Sequence, residues 1–243
     1  LDPSPRVRGT QGGQFVAQAA GQETGREQNH RRSCREQNHR GLCRAQKPVF
    51  YEGGLVAKVS VRPLRPVYPS PAALISSIAA DGKPNLITLG EVFNLSIASP
   101  VIVGIAIAPA RYSNELIRAS REFVVNFPTR AILEKVDRCG SVSGRAVDKF
   151  RAFGLTPLPA TRVRPPLVAE CPINLECQVR EIMTVGDHDL FIGEVVAEHV
   201  DADKLLPDGQ IDVDRLDAIA YMFGQYRAIG GQLGVHGFTR GRS

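Results

Sequence analysis

Three short segments of the chain carry side chains that could bind a ligand. The first contains Arg111, Tyr112 and Ser113, between an apolar run and a predicted helix. Arginine binds phosphate through two parallel hydrogen bonds, and the N–H groups of a helix N-terminus also attract anions. The segment therefore predicts either an anion-binding site or an ordinary helix start in which Ser113 is the N-cap.

The second segment is a polar loop between two apolar runs. Its candidate ligand-binding residues are Thr88, Leu89, Gly90, Glu91, Asn94, Ser96 and Ser99. Hydroxyls, amides and backbone N–H groups in such a loop can hold a phosphate or the polar edge of a ring. Ordinary turn chemistry explains the same composition, so this loop does not define a site by itself.

The third segment is Gly186-Asp187-His188-Asp189, at the start of a predicted strand. Its histidine, between two carboxylates, could contact an anionic or reducible group, or it could simply be solvated. The chain lacks the sequence motifs of serine hydrolases, zinc proteases, P-loop nucleotidases and dinucleotide-binding folds. An enzyme with this sequence would therefore take its chemistry from a cofactor.

The net charge of +5 belongs to the N-terminal segment. Residues 1–47 hold nine basic and four acidic side chains, whereas the other 21 basic and 21 acidic side chains cancel. The body therefore offers no basic surface to nucleic acid, and any attraction to polyanions lies in the tail. The lack of a membrane-length apolar run or a signal-peptide segment, with only five cysteines, predicts a cytoplasmic protein.

The tail also contains a direct repeat, in which residues 26–34 are followed by a similar copy over 35–43. The repeat supplies His30, Cys34, His39 and Cys43, which are zinc-type ligands in the right number. A segment with so few apolar residues cannot bury a core. We therefore predict a disordered basic tail over residues 1–47, with no metal, and a folded body over 48–243.

The body consists of short apolar runs separated by proline and glycine. Asp81-Gly82 supplies the positive φ angles that a tight two-residue connection needs and predicts a β-hairpin over 72–80 and 84–89. Further strands are predicted at 100–108, 122–127, 171–182 and 189–199, and helices at 114–120, 131–138, 145–153 and 214–224. Many strands with few intervening helices predict a mainly β fold, an antiparallel barrel with appended α-helices.

Several stretches occur in an order that is typical of one family. They are Tyr68–Ser77, Asp81–Thr88, Val103–Ile107, Arg111–Ser113, Glu122–Pro128, Ser143–Phe150, Glu170–Cys177 and Gly186–His188 with Phe191–Val195. Together they resemble the flavin reductase-like, FMN-binding split-barrel family, especially its flavoredoxin-type branch, over roughly residues 55–238. The resemblance implies an antiparallel split β-barrel that binds FMN non-covalently beside the barrel, usually at a homodimer interface.

The resemblance also implies a role for each candidate residue. Thr88, Leu89, Gly90 and Glu91 would contact the isoalloxazine ring. Asn94, Ser96 and Ser99 would lie along the ribityl chain and phosphate, and Arg111, Tyr112 and Ser113 would hold the phosphate end. Ser143, Lys149 and Phe150 would approach from a neighbouring loop, of the same or the second subunit. His188 would sit near the redox face, in a motif implicated in nicotinamide binding.

The expected activity is transfer of hydride from NAD(P)H to FMN, which then reduces an acceptor. One alternative is a flavoredoxin-like electron carrier that a protein partner reduces, and another is a flavin-binding module without turnover, tethered by the tail. Glu91 departs from the branch pattern, which usually has small residues and an aromatic at this place. A carboxylate there would disfavour an anionic reduced ring.

Overall fold

The computed structural model of the chain describes Pro63 and residues 69–240. The predicted tail and the predicted start of the body at residue 48 lie outside these residues. The described strands are β1 Ser70–Pro71, β2 Ala73–Ile78, β3 Pro84–Leu89, β4 Val92–Ser96, β5 Ile102–Ile107, β6 Glu122–Phe127, β7 Pro157–Leu158, β8 Leu167–Val168, β9 Ile173–Val185, β10 His188–Val200, β11 Ile219–Met222 and β12 Gln225–Ala228. The helices are α1 Tyr112–Ser120, α2 Leu133–Ser141 and α3 Lys149–Phe153.

Seven strands form one antiparallel sheet in the order β3-β2-β6-β9-β10-β5-β4. The sheet curls into a barrel. The evidence is one buried cluster in which side chains from β3, β5 and β10 meet, together with Ile117 of α1. The backbone N–H of Ala106 also donates to the carbonyl of Glu91, 3.0 Å away, where β3 passes into β4. The antiparallel split barrel with appended helices is thereby confirmed.

A second buried cluster lies outside the barrel wall. There α2 and α3 cover the outer face of β2 and β3, and Val136, Cys139 and Phe150 pack against Leu74 and Leu86. Asp148 is the N-cap of α3 and accepts a hydrogen bond from the N–H of Arg151, so this helix begins at Lys149. The cap therefore shortens the helix predicted over 145–153.

The helix predicted over 214–224 is wrong. This stretch contains a single short 3-10 turn at Val213–Arg215, followed by the hairpin β11–β12. Phe223 and Gly224 both have positive φ angles, 47° and 79°, and form the two-residue connection of that hairpin. Strand β1 pairs with β11, so these three strands form a small separate sheet. The loop predicted between β3 and β5 is also wrong in part, because Val92–Ser96 forms strand β4.

A buried carboxylate fastens the long connection before β9 to the barrel. Glu176 of β9 is 0% exposed and accepts hydrogen bonds from the N–H groups of Thr161, Arg162 and Val163. Its Oε1 also lies 2.6 Å from Nε2 of His199. Burial opposes the charge, but the bonds from Thr161, His199 and Arg162 outweigh it and lower the pKa of Glu176 to about 2.

We expect this carboxylate to control acid stability. A folded-state pKa of about 2, against an ordinary value of 4.5, means that its stabilisation is complete above pH 4.5 and is lost as the pH falls towards 2. Between these pH values the free energy of unfolding of the wild type should fall by about 3 kcal/mol more than that of Glu176→Gln. Urea melts at each pH measure this, with exposed Glu198→Gln as the control. Parallel pH curves for wild type and Glu176→Gln would contradict it.

Candidate functional site

A cleft of about 510 Å³ opens at one end of the barrel. Its walls come from the end of β3, the end of β5, the turn between β9 and β10, helix α2 and the hairpin β11–β12. Six of the predicted site residues line it, namely Thr88, Leu89, Gly90, Glu91, Arg111 and His188. Residues distant in sequence meet here because antiparallel pairing brings the ends of β3 and β5 and the start of β10 to the same end of the barrel.

A smaller cavity of about 160 Å³ continues from this cleft. The two share the lining residues Ile87, Arg111, Gly140 and Ser141. The inner cavity adds five further predicted or buried polar residues: Asn85, Tyr112, Ser113, Ser143 and Lys149. The loop with Ser143 and Lys149 therefore reaches the same space as Arg111 within one subunit.

Lys149 is the most unusual residue of the inner cavity, because its ammonium is buried. The residue is 3% exposed, and Nζ donates to the carbonyl oxygens of Leu86 and Cys139, both 2.6 Å away. Burial, reinforced by the charge of nearby Arg111, lowers the pKa of Lys149 to about 8. Among the described residues that line this cavity there is no carboxylate. An anionic ligand would offset the cost of burying this charge.

The start of α1 forms the opposite wall of the inner cavity. The helix N-cap is Arg111, without a side-chain cap bond, so the prediction that Ser113 caps the helix is wrong. Ser113 lies one residue inside the helix instead, and its buried hydroxyl accepts from Nδ2 of Asn85 at 2.8 Å. Tyr112 lies under the guanidinium of Arg145, 4.6 Å from Cζ to the ring centre. The helix start thus joins the 143–148 loop to β3.

His188 stands at the mouth of the cleft, at the first residue of β10. Its Nδ1 lies 2.8 Å from Oδ1 of Asp187, and its side chain is 34% exposed. This hydrogen bond and the imidazole charge lower the pKa of Asp187. The side chain of the second flanking aspartate, Asp189, hydrogen-bonds to other elements.

Asp189 instead anchors the start of β10 to α1 and β9. Its buried carboxylate accepts from Thr184 at 2.7 Å, from Asn114 at 2.9 Å and from Arg118 at 2.8 Å. The bonds from Thr184 and Asn114 lower the pKa of Asp189. Asn114 also donates to the carbonyl of Ile107 at the end of β5. This network holds the turn that carries His188 beside the start of α1.

Four predicted site residues line neither the cleft nor the inner cavity. Asn94, Ser96 and Ser99 lie on β4 and the turn that follows it. Ser96 pairs with Ile102 of β5, whereas the residue of β5 that lines the cleft is Ile107. These two residues of β5 are five positions apart, so Ser96 lies roughly 17 Å along the strand from the cleft. The Phe150 ring packs in the second core cluster, so only its neighbour Lys149 reaches the inner cavity. The roles that the resemblance gives to these four residues remain predictions.

The cleft also contains residues that were not predicted. Asp137 of α2 and Tyr221 and Tyr226 of the β11–β12 hairpin form one wall. The two tyrosine rings meet edge to face, 5.4 Å apart. Burial raises the pKa of Tyr226 to about 12, and the neighbouring Asp137 carboxylate adds to this shift. Because the sequence predicts a helix at Tyr221, it gives no sign that this segment faces β3.

Within the part of the chain that the structure describes, no helix combines the length and the apolar character needed to cross a bilayer.

Comparison with known proteins gives one consistent result. The family model of the flavin reductase like domain matches residues 64–230. An uncharacterized protein of Archaeoglobus fulgidus is 36% identical over 165 residues, which are 68% of this chain and 90% of that protein.

Solved structures agree with the sequence matches. The flavoredoxin of Desulfovibrio vulgaris (Miyazaki F) superposes with a TM-score of 0.70 at 28% identity, over 76% of this chain and 99% of that one. An FMN-binding protein from Thermus thermophilus superposes with a TM-score of 0.62 at 25% identity, over 74% of this chain and 99% of that one.

Proposed function

Since the chain belongs to the flavin reductase-like family and is a flavin-related oxidoreductase, we propose that it binds FMN in the cleft and the inner cavity. We further propose that NAD(P)H reduces the bound FMN. The reduced flavin then passes electrons to an acceptor. The observation that carries the proposal is the buried Lys149 ammonium in a cavity without a carboxylate among its described lining residues. A cation placed in this way fits the phosphate of a mononucleotide.

The inner cavity fits the phosphate end of the cofactor. Within the described part of the chain, two of the three N–H groups of Lys149 donate to main-chain carbonyls, which leaves the third for a phosphate oxygen. Arg111 and Ser143 would add a second cation and a hydroxyl from the two sides of the cavity. The FMN-binding neighbour from Thermus thermophilus supports FMN as the flavin.

The larger cleft fits the ring. Bound FMN would supply a ring that accepts and donates electrons, and the chain would orient this ring and limit its contact with water. Thr88 is fixed there because its hydroxyl donates to the carbonyl of Val136 at 2.5 Å. Glu91 would place a carboxylate in the same cleft, where it would disfavour an anionic reduced ring.

His188 is the residue of the chain that we assign to the nicotinamide. It lies at the cleft mouth, where a second substrate must enter, and the Asp189 network fixes the strand that carries it. Its role would be to position NAD(P)H against the ring that lies beside Thr88.

We expect the protein to be a homodimer. Strand β4 is an edge of the large sheet; its residues Phe93 and Leu95 are exposed, and Ile97, in the turn that follows, is 85% exposed. Exposed apolar side chains along an edge strand favour association with another chain. Sedimentation equilibrium should give twice the chain mass, and Phe93→Glu with Ile97→Glu should give the monomer.

Anaerobic stopped-flow absorbance tests the proposed function. FMN-loaded protein should lose its yellow absorbance when NADH or NADPH is added, and exposure to an acceptor should restore it. Protein that remains yellow under an excess of both nucleotides is not a reductase.

A flavoredoxin-like electron carrier is the second candidate, because a flavoredoxin is among the structures that superpose over most of the chain. A carrier would hold FMN through purification and would be reduced by a protein partner. A two-component reductase would instead release its flavin. The visible spectrum of the purified protein, before and after each nicotinamide is added, distinguishes the two.

A further inference from the structure

The inner cavity contains a buried hydrogen-bond acceptor that the fold does not use. Asn85 of β3 is 4% exposed, and its Nδ2 donates to Ser113 at 2.8 Å and to Ser77 at 3.5 Å. Its Oδ1 is the one buried side-chain nitrogen or oxygen without a partner in the part of the chain that the structure describes. A buried acceptor without a donor costs free energy, so it calls for an explanation.

The surrounding chain makes room for this oxygen. A Cβ atom on Gly144 would lie 1.8 Å from Oδ1 of Asn85. Gly144 does not have a positive φ angle, so its backbone conformation does not require glycine. Space for the Asn85 side chain is therefore the reason for glycine at this position.

Asn85 and Lys149 line the same cavity, so one ligand that carries both a donor and a negative charge would satisfy the two residues. Nζ of Lys149 does not supply this donor, because its hydrogen bonds go to the carbonyl oxygens of Leu86 and Cys139. An acceptor oxygen would repel the oxygens of a phosphate bound to Lys149. Next to its phosphate, however, FMN carries a chain of hydroxyl groups, and these can donate.

We propose that Oδ1 of Asn85 accepts a hydrogen bond from a ribityl hydroxyl of the flavin, while Lys149 binds the phosphate. This rests on the proposed function. The two residues then recognise neighbouring parts of one ligand, a polyol and its terminal phosphate. Asn85 distinguishes flavins with a ribityl chain from the bare ring, and Lys149 distinguishes FMN from riboflavin.

Dissociation constants for FMN, riboflavin and lumiflavin, which lacks the ribityl chain, test this assignment. Asn85→Leu should weaken FMN and riboflavin about tenfold each and leave lumiflavin unchanged. Asn85→Asp keeps an acceptor of the same shape, so riboflavin should bind within about threefold of wild type. FMN should bind this variant more weakly, because the new carboxylate faces the phosphate.

Ser77→Ala is the matched control, because Ser77 touches Nδ2 of Asn85 and does not line the cavity. It should leave all three affinities unchanged. Wild-type affinity for riboflavin in Asn85→Leu would overturn the inference while the proposed function stands. Loss of riboflavin binding in Asn85→Asp would show that the amide donates to the ligand, and would also overturn it. A wild-type protein that binds none of the three flavins would refute the proposed function and this inference together.

Discussion

Lys149→Met should raise the dissociation constant for FMN about 100-fold and leave that for riboflavin unchanged. The ammonium is the buried cation of the inner cavity, and a charge-assisted bond to phosphate in such a place contributes about 3 kcal/mol. Riboflavin lacks the phosphate, so its affinity reports the ring and ribityl contacts alone. Fluorescence titration measures both constants, and a urea melt of the variant shows whether it is folded.

Lys135→Met is the matched control for this experiment. Lys135 lies on α2, and its Nζ also donates to a main-chain carbonyl, that of Gly154 at 2.6 Å, but it does not line the cleft or the inner cavity. Its replacement should not change FMN affinity. Equal losses for FMN and riboflavin in Lys149→Met would mean that the lysine only supports the fold.

The same lysine should give FMN binding a characteristic pH dependence. Because the pKa of Lys149 is lowered to about 8, its charge is present below this pH and lost above it. The affinity should therefore decline as the pH rises through 8, and this decline should be missing in Lys149→Met. A second decline is expected below about pH 6 in both proteins, where the phosphate takes up its second proton.

His188→Gln should lower the rate of flavin reduction by NAD(P)H about 10- to 100-fold, while FMN affinity changes less than about threefold. The imidazole lies at the cleft mouth and not in the inner cavity, so its loss affects the entering nucleotide rather than the bound flavin. Stopped-flow reduction over a range of nucleotide concentrations separates weaker binding from slower transfer. Reduction by dithionite should not change.

His236→Gln controls for the loss of an imidazole, since His236 is exposed and does not line the cleft. A His188→Gln variant that NAD(P)H reduces at the wild-type rate would remove this residue from the site. An equal slowing in both variants would have the same consequence.

Local sequence signals predicted most of the fold. Asp81-Gly82 correctly indicated the β2–β3 hairpin, but the predicted two-residue connection was wrong: only Gly82 has a positive φ, of 84°, and the chain turns between Ala79 and Lys83, whose backbones are hydrogen-bonded. Periodicity and apolar runs located β5, β6, β9 and β10. The errors lie where local signals conflict with pairing. Residues 219–228 look helical in part, but the positive φ angles of Phe223 and Gly224 fold them into a hairpin.

The site divides in the same way. Arg111, Thr88 and His188 could be predicted because each belongs to a short motif beside a strand end. Asn85 and Tyr226 could not be predicted, because their importance depends on contacts with distant segments. For Ser113 the predicted role as helix N-cap was wrong, because its hydroxyl accepts from Asn85 across the cavity.

The sequence by itself determined the type and order of most secondary-structure elements, because turn residues and side-chain periodicity act over a few neighbouring positions. The tertiary structure alone decided which polar groups become buried together. Lys149 and the Leu86 carbonyl are 63 residues apart in sequence, and only the packing of α3 against β3 brings them within 2.6 Å. Burial then removes the ammonium of Lys149 and the amide oxygen of Asn85 from water, and in our proposal the bound flavin takes the place of that water.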